Sequence, residues 1–166
     1  GNTAKDIVRN EDATLNYGSA ITWTDGKFGS GVYDNRDFGL NSPSWTLDVS
    51  NGVTVGGWFK VEATSGTDLY KVIFRDFQFN FQPLYSWDGN NAKARFERYD
   101  GSSWGAVYCD NYIIFDEWHL YLVTWNPSSG EVKFYRDGSV ICTGSLTGYE
   151  NRDTPTQLFH HGNGYI

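Results

Sequence analysis

From Phe115 to Thr143 the chain reads FDEWHLYLVTW, then NPSSG, then EVKFYRDGSVICT, which is three apolar runs separated by two turns. The runs are rich in aromatic and β-branched residues, which are typical of strands. Pro127 fixes φ for a type I turn and Gly130 accepts a positive φ, so the first turn predicts a hairpin loop. Asp137-Gly138 suits a two-residue type I′ hairpin, because both of its central residues need positive φ. The stretch therefore predicts three consecutive antiparallel strands.

Turn residues recur about every 8–12 residues along the rest of the chain, and they divide it into about eleven short strands. No segment has a helical period, and we see no internal repeat or linker. The pattern predicts an all-β fold, a two-sheet antiparallel β-sandwich or jelly roll. Five segments give specific expectations: residues 1–27 are irregular, 92–99 and 104–110 are strands, 112–115 is a further strand, and 156–161 is a weak one.

Residues 53–62 form the other strong strand of the sequence. Its alternation predicts that Phe59 and Val61 point to one face. Trp58, Lys60 and Glu62 are predicted to point to the other. The pair Gly56-Gly57 inside the strand indicates a β-bulge or a close approach of another backbone.

Length and composition indicate one domain over residues 1–166. The chain has 39% hydrophobic and 17% aromatic residues, with 19 Gly, four Pro and no Met, which favours sheets joined by tight turns. A chain of this size buries roughly 70% of its unfolded surface. No apolar run approaches the ~20 residues of a membrane span, so we expect no membrane insertion. Because the chain starts at Gly1 without Met, we expect a piece processed or excised from a longer protein.

The net charge of −7 argues against nucleic acid as a partner. Nucleic-acid binding draws most of its affinity from clustered Lys and Arg. Here the nearest approach to a basic cluster, Arg95 and Arg98, is interrupted by Phe96 and Glu97.

The two cysteines, Cys109 and Cys142, each lie in a predicted strand. They fit either one disulfide or two small buried thiols, and the sequence leaves both readings open. Neither has the C-x-x-C spacing of a zinc or redox site.

Several segments resemble the signature of LamG-like jelly rolls in the concanavalin A-like lectin/glucanase superfamily. Trp118-His119 with Val123-Thr124-Trp125, followed by residues 132–138, is similar to that family's "WhhvavTyd…vklYvDG". Residues 26–29 and 55–60 match its "GkfG" and "sisaWvk" segments in the same order. The resemblance covers roughly residues 20 to 145. It implies the jelly-roll fold.

The resemblance also implies a closing strand, which would be expected to begin where the chain reaches residues 162–166. If that strand is absent, one sheet edge is open and can pair with another chain or with another part of the parent protein.

The chain does not fit the sequence motifs of hydrolases. Gly101-Ser102-Ser103-Trp104-Gly105 matches G-x-S-x-G, but a nucleophile elbow needs a strand followed by a helix, and here strands lie on both sides. Glucanases of the same superfamily carry E-x-D-x-x-E, which places an acid and a nucleophile across one bond; that spacing does not occur here. We therefore expect no enzyme.

Asp34, Asn35 and Asp37 could supply hard oxygens for calcium, and many relatives of this fold are calcium-stabilised. The other reading of these residues is a solvated Asx-turn cluster. His160-His161 are neighbours that cannot share a face as metal ligands. His119, between Trp118 and Leu120, is expected to be a partly buried packing residue.

The aromatic residues divide into two predicted groups. Five in the family-matching strands are expected in the core: Trp58, Phe59, Trp118, Trp125 and Phe134. A second group at hairpin ends is predicted to bind a ligand: Tyr85, Trp87, Arg95, Tyr99, Trp104 and Tyr108. Rings stack on the C–H faces of sugars while polar neighbours bind the hydroxyls. The alternative is that these rings only cover sheet edges.

The leading hypothesis is a non-catalytic carbohydrate-binding or adhesion module, extracellular or displayed on a cell or virion surface, that recognises a glycan or a glycosylated partner through aromatic-rimmed loops. The second hypothesis is a structural or assembly domain of a larger surface or virion protein. A stable oligomer in solution favours assembly, and a monomer favours the binding module.

Overall fold

The computed structural model describes residues 3–4, 13–15, 21–28, 30–34, 40–46, 48–62, 74–75, 78–87, 92–150 and 153–158. In several of the strands only the backbone is described. These ranges contain fourteen strands. The first seven are β1 (Thr3–Ala4), β2 (Ala13–Leu15), β3 (Ile21–Asp25), β4 (Ser30–Asp34), β5 (Leu40–Thr46), β6 (Val53–Lys60) and β7 (Phe74–Arg75). The other seven are β8 (Phe79–Trp87), β9 (Ala92–Tyr99), β10 (Trp104–Asp110), β11 (Trp118–Trp125), β12 (Glu131–Arg136), β13 (Ser139–Ser145) and β14 (Asp153–Leu158). No helix in the described part is long and apolar enough to cross a membrane.

The predicted three-strand meander is confirmed as β11, β12 and β13, which pair antiparallel in sequence. Asp137 has a φ of 51° and Gly138 a φ of 82°, as the type I′ turn requires. Gly130 has a φ of 76° at the end of the preceding loop. Asn126 Oδ1 accepts hydrogen bonds from the backbone N–H groups of Ser128 and Ser129, which close that loop.

β6 completes a four-stranded sheet in the order β13-β12-β11-β6. Its pairing with β11 is continuous from Trp118–Lys60 to Trp125–Val53, so the two glycines do not mark a bulge. They mark a close backbone approach, because a Cβ on Gly56 would collide with the carbonyl oxygen of Tyr121.

The second sheet has eight strands in the order β1-β2-β5-β14-β7-β8-β9-β10. β14 pairs antiparallel with β5 on one side and β7 on the other. β14 therefore fills an interior position of this sheet. The closing strand predicted to begin at residues 162–166 lies outside the described residues, so its presence and an open edge in its absence stay predictions. Among the described strands the sheet edges are β1 and β10 in this sheet and β6 and β13 in the other.

Two expectations about local structure are wrong. Residues 1–27 contain β1, β2 and β3, of which β3 pairs with β4 in a separate two-stranded sheet; β1 and β2 have two and three residues, too few for a visible alternation. Residues 112–115 are not a strand. Asn111 has a φ of 55°, which ends β10, and only Phe115 makes an isolated parallel bridge, with Val61.

The core lies between the two sheets. Ring pairs cross from one sheet to the other: Phe81 lies 6.4 Å from Phe134 and Phe96 lies 5.8 Å from Trp125, measured between centroids. All four rings are buried. The all-β, two-sheet antiparallel sandwich predicted from the sequence is thereby confirmed.

Trp58 is not in the core, although it was expected there. It is 37% exposed and lies on the outer side of β6, where its ring meets Phe28 edge-on at 5.6 Å and the ammonium of Lys27 at 5.0 Å. The strand's alternation explains this, since Phe59 and Val61 occupy the inner side as predicted.

Cys109 of β10 and Cys142 of β13 form a disulfide with a Cα–Cα distance of 6.0 Å. The alternative of two buried thiols is therefore excluded. The bond joins one strand of each sheet, so it ties the two layers of the sandwich together.

Candidate functional site

β8, β9 and β10 are neighbours in the eight-stranded sheet, and β9 and β10 carry a row of side chains turned away from the core. Along β9 buried residues alternate with partly exposed ones, so Arg95, Glu97 and Tyr99 share the outer side. The register places Tyr108 opposite Arg95 and Trp104 opposite Tyr99. We call this surface the aromatic face and define it by nine residues: Asn80, Gln82, Tyr85, Arg95, Glu97, Tyr99, Trp104, Ala106 and Tyr108.

One end of the aromatic face is a cluster of three side chains. The guanidinium carbon of Arg95 lies 4.1 Å from the centroid of the Tyr85 ring. The Tyr85 and Tyr108 rings are 5.4 Å apart, and Tyr108 is 50% exposed. A planar guanidinium on a ring face is a favourable cation–π arrangement. It leaves the Tyr108 ring available to a ligand.

A polar network holds Arg95 in this position. Its Nε donates a hydrogen bond to Gln82 Oε1 at 2.6 Å, and a terminal nitrogen lies 3.1 Å from Glu97 Oε2. Asn80 donates from Nδ2 to Glu97 Oε1 at 2.7 Å. Asn80 and Gln82 are buried, and Arg95 and Glu97 are mostly covered. These contacts fix the guanidinium before any ligand arrives, which lowers the entropic cost of binding.

The other end of the aromatic face is the Tyr99–Trp104 pair, with ring centroids 5.5 Å apart. Trp104 is 48% exposed. The two residues flank the β9–β10 hairpin, and the Tyr99 hydroxyl donates to the carbonyl of Gly101 at 3.0 Å. The rings are therefore held at a fixed place beside the turn.

The turn itself is built on Asp100. Its Oδ1 accepts hydrogen bonds from the backbone N–H groups of Ser103 at 2.8 Å and Ser102 at 2.9 Å. These bonds hold the pKa of the Asp100 carboxyl well below its usual range. The G-x-S-x-G match is a hairpin tip between two strands, as the sequence indicated.

The predicted ligand residues fall into three classes. The structure brings Tyr85, Arg95 and Tyr108 together in one cluster and Tyr99 with Trp104 in another, as described above. These residues lie within strands β8, β9 and β10 rather than in loops. Trp87 is described by its backbone alone, which pairs with Ala92, so its role stays a prediction.

Arg98, which the sequence places between the predicted ligand residues Arg95 and Tyr99, does not belong to the aromatic face. It lies on the inner side of β9, donates a hydrogen bond to the carbonyl oxygen of Thr147 and forms an ion pair with Asp100 at 3.2 Å. Asn80, Gln82 and Glu97, by contrast, belong to the face and were missed. Their signal was the alternation in Asn80-Phe81-Gln82 and Arg95-Phe96-Glu97, in which the Phe residues take the core side.

The predicted metal ligands lie mostly beyond the described part of the chain. Asp34 ends β4, while Asn35, Asp37 and His160-His161 are outside the described residues, so the calcium site stays a prediction. In the described ranges no three His, Cys, Asp or Glu side chains are grouped to hold a metal ion.

His119 is mostly covered and meets Tyr121 edge-on at 5.8 Å, which confirms its packing role. It also has a polar role that the sequence did not indicate. Its Nδ1 lies 2.6 Å from Asp137 Oδ2.

The acids on the outer side of β9 and β10 are far apart. Glu97 pairs in register with Ala106, and Asp110 lies four residues further along β10, about 13 Å away at the usual rise per residue. Asp110 is 3.5 Å from the ammonium of Lys93. Glycosidases need two carboxyl groups about 5–9.5 Å apart, and Glu97 and Asp110 do not make such a pair.

Comparisons with known proteins agree with this fold. Domain 4 of AbnA, a GH43 extracellular arabinanase from Geobacillus stearothermophilus solved with arabinotriose, superposes with a TM-score of 0.64 at 20% identity, over 97% of this chain and 81% of that one. LamAcat from Zobellia galactanivorans superposes with a TM-score of 0.50 at 14% identity, over 96% of this chain and 68% of that one. No curated protein sequence matches the chain.

A family model described as the concanavalin A-like lectin/glucanases superfamily matches residues 34–165. The matched range begins later than the resemblance to LamG-like domains, which starts at about residue 20. It also ends later, beyond β14, whereas the resemblance ends at about residue 145. With most of its length matched and the sandwich formed, the chain belongs to the concanavalin A-like lectin/glucanases superfamily.

Proposed function

We propose that this chain is a non-catalytic carbohydrate-binding domain that binds a glycan on the aromatic face. The observation that carries the proposal is the cluster of Tyr85, Arg95 and the exposed Tyr108 ring, held by a fixed polar network. An exposed ring offers a surface for the C–H face of a sugar, and the neighbouring guanidinium and carboxylate offer a donor and an acceptor to its hydroxyl groups. Rings that only covered a sheet edge would not require an arginine held in place by hydrogen bonds and an ion pair.

The structural relative with the higher TM-score supports the same class of ligand. That relative is a domain of an extracellular arabinanase and was solved with arabinotriose. It shares the sandwich with this chain, so this fold can present a surface to an oligosaccharide. Which sugar this chain prefers is left to the binding experiment below.

The arrangement of the acids supports binding without hydrolysis. Glu97 is engaged by Arg95 and Asn80, and Asp110, the next acid on this side of β10, is too distant to act with it on one glycosidic bond.

The Cys109–Cys142 disulfide supports an extracellular or surface-displayed location. Disulfides form and persist in oxidising compartments and are rare in reducing ones. The place of action proposed here is therefore outside the cell.

The test is isothermal titration of the purified chain with arabinan, xylan, laminarin and polygalacturonate. We expect binding to at least one of them. Tyr108→Ala should weaken it about tenfold or more, the loss usual for truncation of an aromatic anchor. Arg95→Lys should also weaken it, because lysine keeps the charge but loses the planar stack on Tyr85.

The matched control is Trp58→Ala, which removes another exposed ring, 37% against 50% for Tyr108, from the outer side of the other sheet. It should bind like the unaltered chain. Failure to bind any of the four polysaccharides, or a Tyr108→Ala variant with unchanged affinity, contradicts the proposal. New reducing ends released from a bound polysaccharide contradict its non-catalytic part.

A further inference from the structure

The aromatic face has two separate ring platforms on a single strand. Trp104 and Tyr108 are four residues apart on β10, so they point to the same side and lie about 13 Å from each other. Each is exposed, and each is backed by a second ring, Tyr99 in one case and Tyr85 in the other. A single sugar cannot contact both platforms.

The outward positions between the two platforms carry no aromatic ring. The only outward side chain of β10 between the two rings is Ala106, which is too small to form a wall. Opposite it on β9 is Glu97, held by Arg95 and Asn80. The outward order along β10 is therefore ring, alanine, ring, with the Glu97 carboxylate of β9 beside the alanine.

β10 is also the last strand of its sheet within the described chain. An extended ligand parallel to β10 would meet the outward side chains of β9 on one flank only. Such a ligand could place a C–H face on each ring and turn hydroxyl groups toward Glu97 between them.

We propose that the ligand is a linear, neutral polysaccharide chain that lies along β10 and occupies both platforms, rather than a terminal sugar held at one of them. This inference rests on the proposed function and specifies its ligand. Arg95 is the only cation among the nine residues of the aromatic face, and it is already paired with Glu97. The face therefore offers no unpaired positive charge to carboxylate or sulfate groups, and a chain with hydroxyl groups there is favoured.

The test uses oligosaccharides of two to six sugars cut from whichever of the four polysaccharides binds, titrated one length at a time. Affinity should rise at least about tenfold from the disaccharide to the length that reaches both rings and then level off, since a second anchor adds a contact of hot-spot size. Trp104→Ala should remove this rise, so that the hexasaccharide binds like a disaccharide while the disaccharide changes by about twofold or less.

Ala106→Leu is the complementary variant, because it places a branched side chain between two intact platforms. It should weaken the hexasaccharide and leave the disaccharide unaffected. Val140→Ala, which trims an exposed side chain on β13, is the control and should change neither.

The outcomes separate the two proposals. If a polysaccharide binds but affinity is the same for every length, or Trp104→Ala weakens the disaccharide and the hexasaccharide equally, the extended-chain inference is wrong and the carbohydrate-binding function stands. The same holds if the polysaccharide that binds is polygalacturonate alone, since the ligand is then acidic. If none of the four polysaccharides binds, both proposals fail together.

Discussion

Cys109 and Cys142 join the two sheets where their edge strands come closest. Cys109 is on β10 and Cys142 on β13, with their Cα atoms 6.0 Å apart. Next to this bond Gly144 faces Val107 so closely that a Cβ at Gly144 would collide with the valine side chain. The disulfide therefore lies on the inner side of β10, and Trp104 and Tyr108 lie on the outer side of the same strand.

We expect the double variant Cys109→Ala/Cys142→Ala to be less stable by about 3–4 kcal/mol, the loop-entropy value for a bridge of this separation. Because the bridge spans 33 residues, its loss frees a long segment of the unfolded chain. Urea denaturation measures the difference. The unaltered chain under reducing conditions should lose the same amount, and a double variant as stable as the oxidised protein would contradict the prediction.

The meander was predictable because local residues determine it. Asp137-Gly138 and Gly130 require positive φ, and the strands between them are long enough to alternate visibly. The position of β14 between β5 and β7 was not predictable in this way. It depends on pairings between residues about a hundred positions apart, which no local pattern encodes.

Part of the candidate site was also predictable from local sequence. Arg95 and Tyr99 share a face by strict alternation, and that rule also adds Glu97 and excludes Arg98. Tyr85 is different, because a register shift between Gln82 and Ser86 interrupts the alternation of β8. Its contact with Tyr108 could be found only in three dimensions.

The Asp137 carboxylate should make stability depend on acid pH. The backbone N–H of Leu120 and the His119 ring both hydrogen-bond to it, and they lower its pKa. A lowered pKa contributes stability above the ordinary carboxyl pKa of about 4, and this contribution is lost as pH falls through the folded-state value. Asp137→Asn should therefore be less stable than the unaltered chain at pH 7, and the difference should shrink below about pH 4, as measured by urea denaturation.

Asp137→Ala is the companion variant, because it tests the turn rather than the charge. Residue 137 has a φ of 51°, which asparagine tolerates and alanine does not, at a cost of about 1–2 kcal/mol. The alanine variant should stay less stable than the asparagine variant at pH 3 as well as at pH 7. Equal stability of the two variants would contradict the turn argument.

Tyr112 should make stability depend on alkaline pH. Its buried hydroxyl lies 2.8 Å from the carbonyl oxygens of both Leu122 and Tyr135, which share its one proton, and burial raises its pKa. The folded state therefore favours the neutral phenol. This contribution is fully present below the ordinary tyrosine pKa of about 10 and declines as pH rises above it.

Tyr112→Phe should cost about 1–2 kcal/mol at pH 7, because it removes the one buried O–H donor that the carbonyl groups of Leu122 and Tyr135 share. It should also reduce the loss of stability between pH 9 and about 11, without abolishing it, since burial raises the pKa of Tyr121 as well. Tyr149→Phe removes a hydroxyl from a residue that is 39% exposed and is the control. A Tyr112→Phe variant with the stability and pH profile of that control would show that the two hydrogen bonds contribute nothing.

Gly56 should be intolerant of any side chain, whereas Gly138 should not. An alanine Cβ at Gly56 would collide with the carbonyl oxygen of Tyr121 and lie 2.8 Å from the Cα of Leu122. The sheet would have to open there, so we expect Gly56→Ala to cost at least about 3 kcal/mol. Gly138→Ala has no atom within 4 Å and strains only its φ of 82°, which costs about 1–2 kcal/mol. Thermal and urea unfolding of the two variants should therefore differ clearly. Equal losses would mean that backbone conformation, and not the contact between β6 and β11, accounts for glycine at position 56.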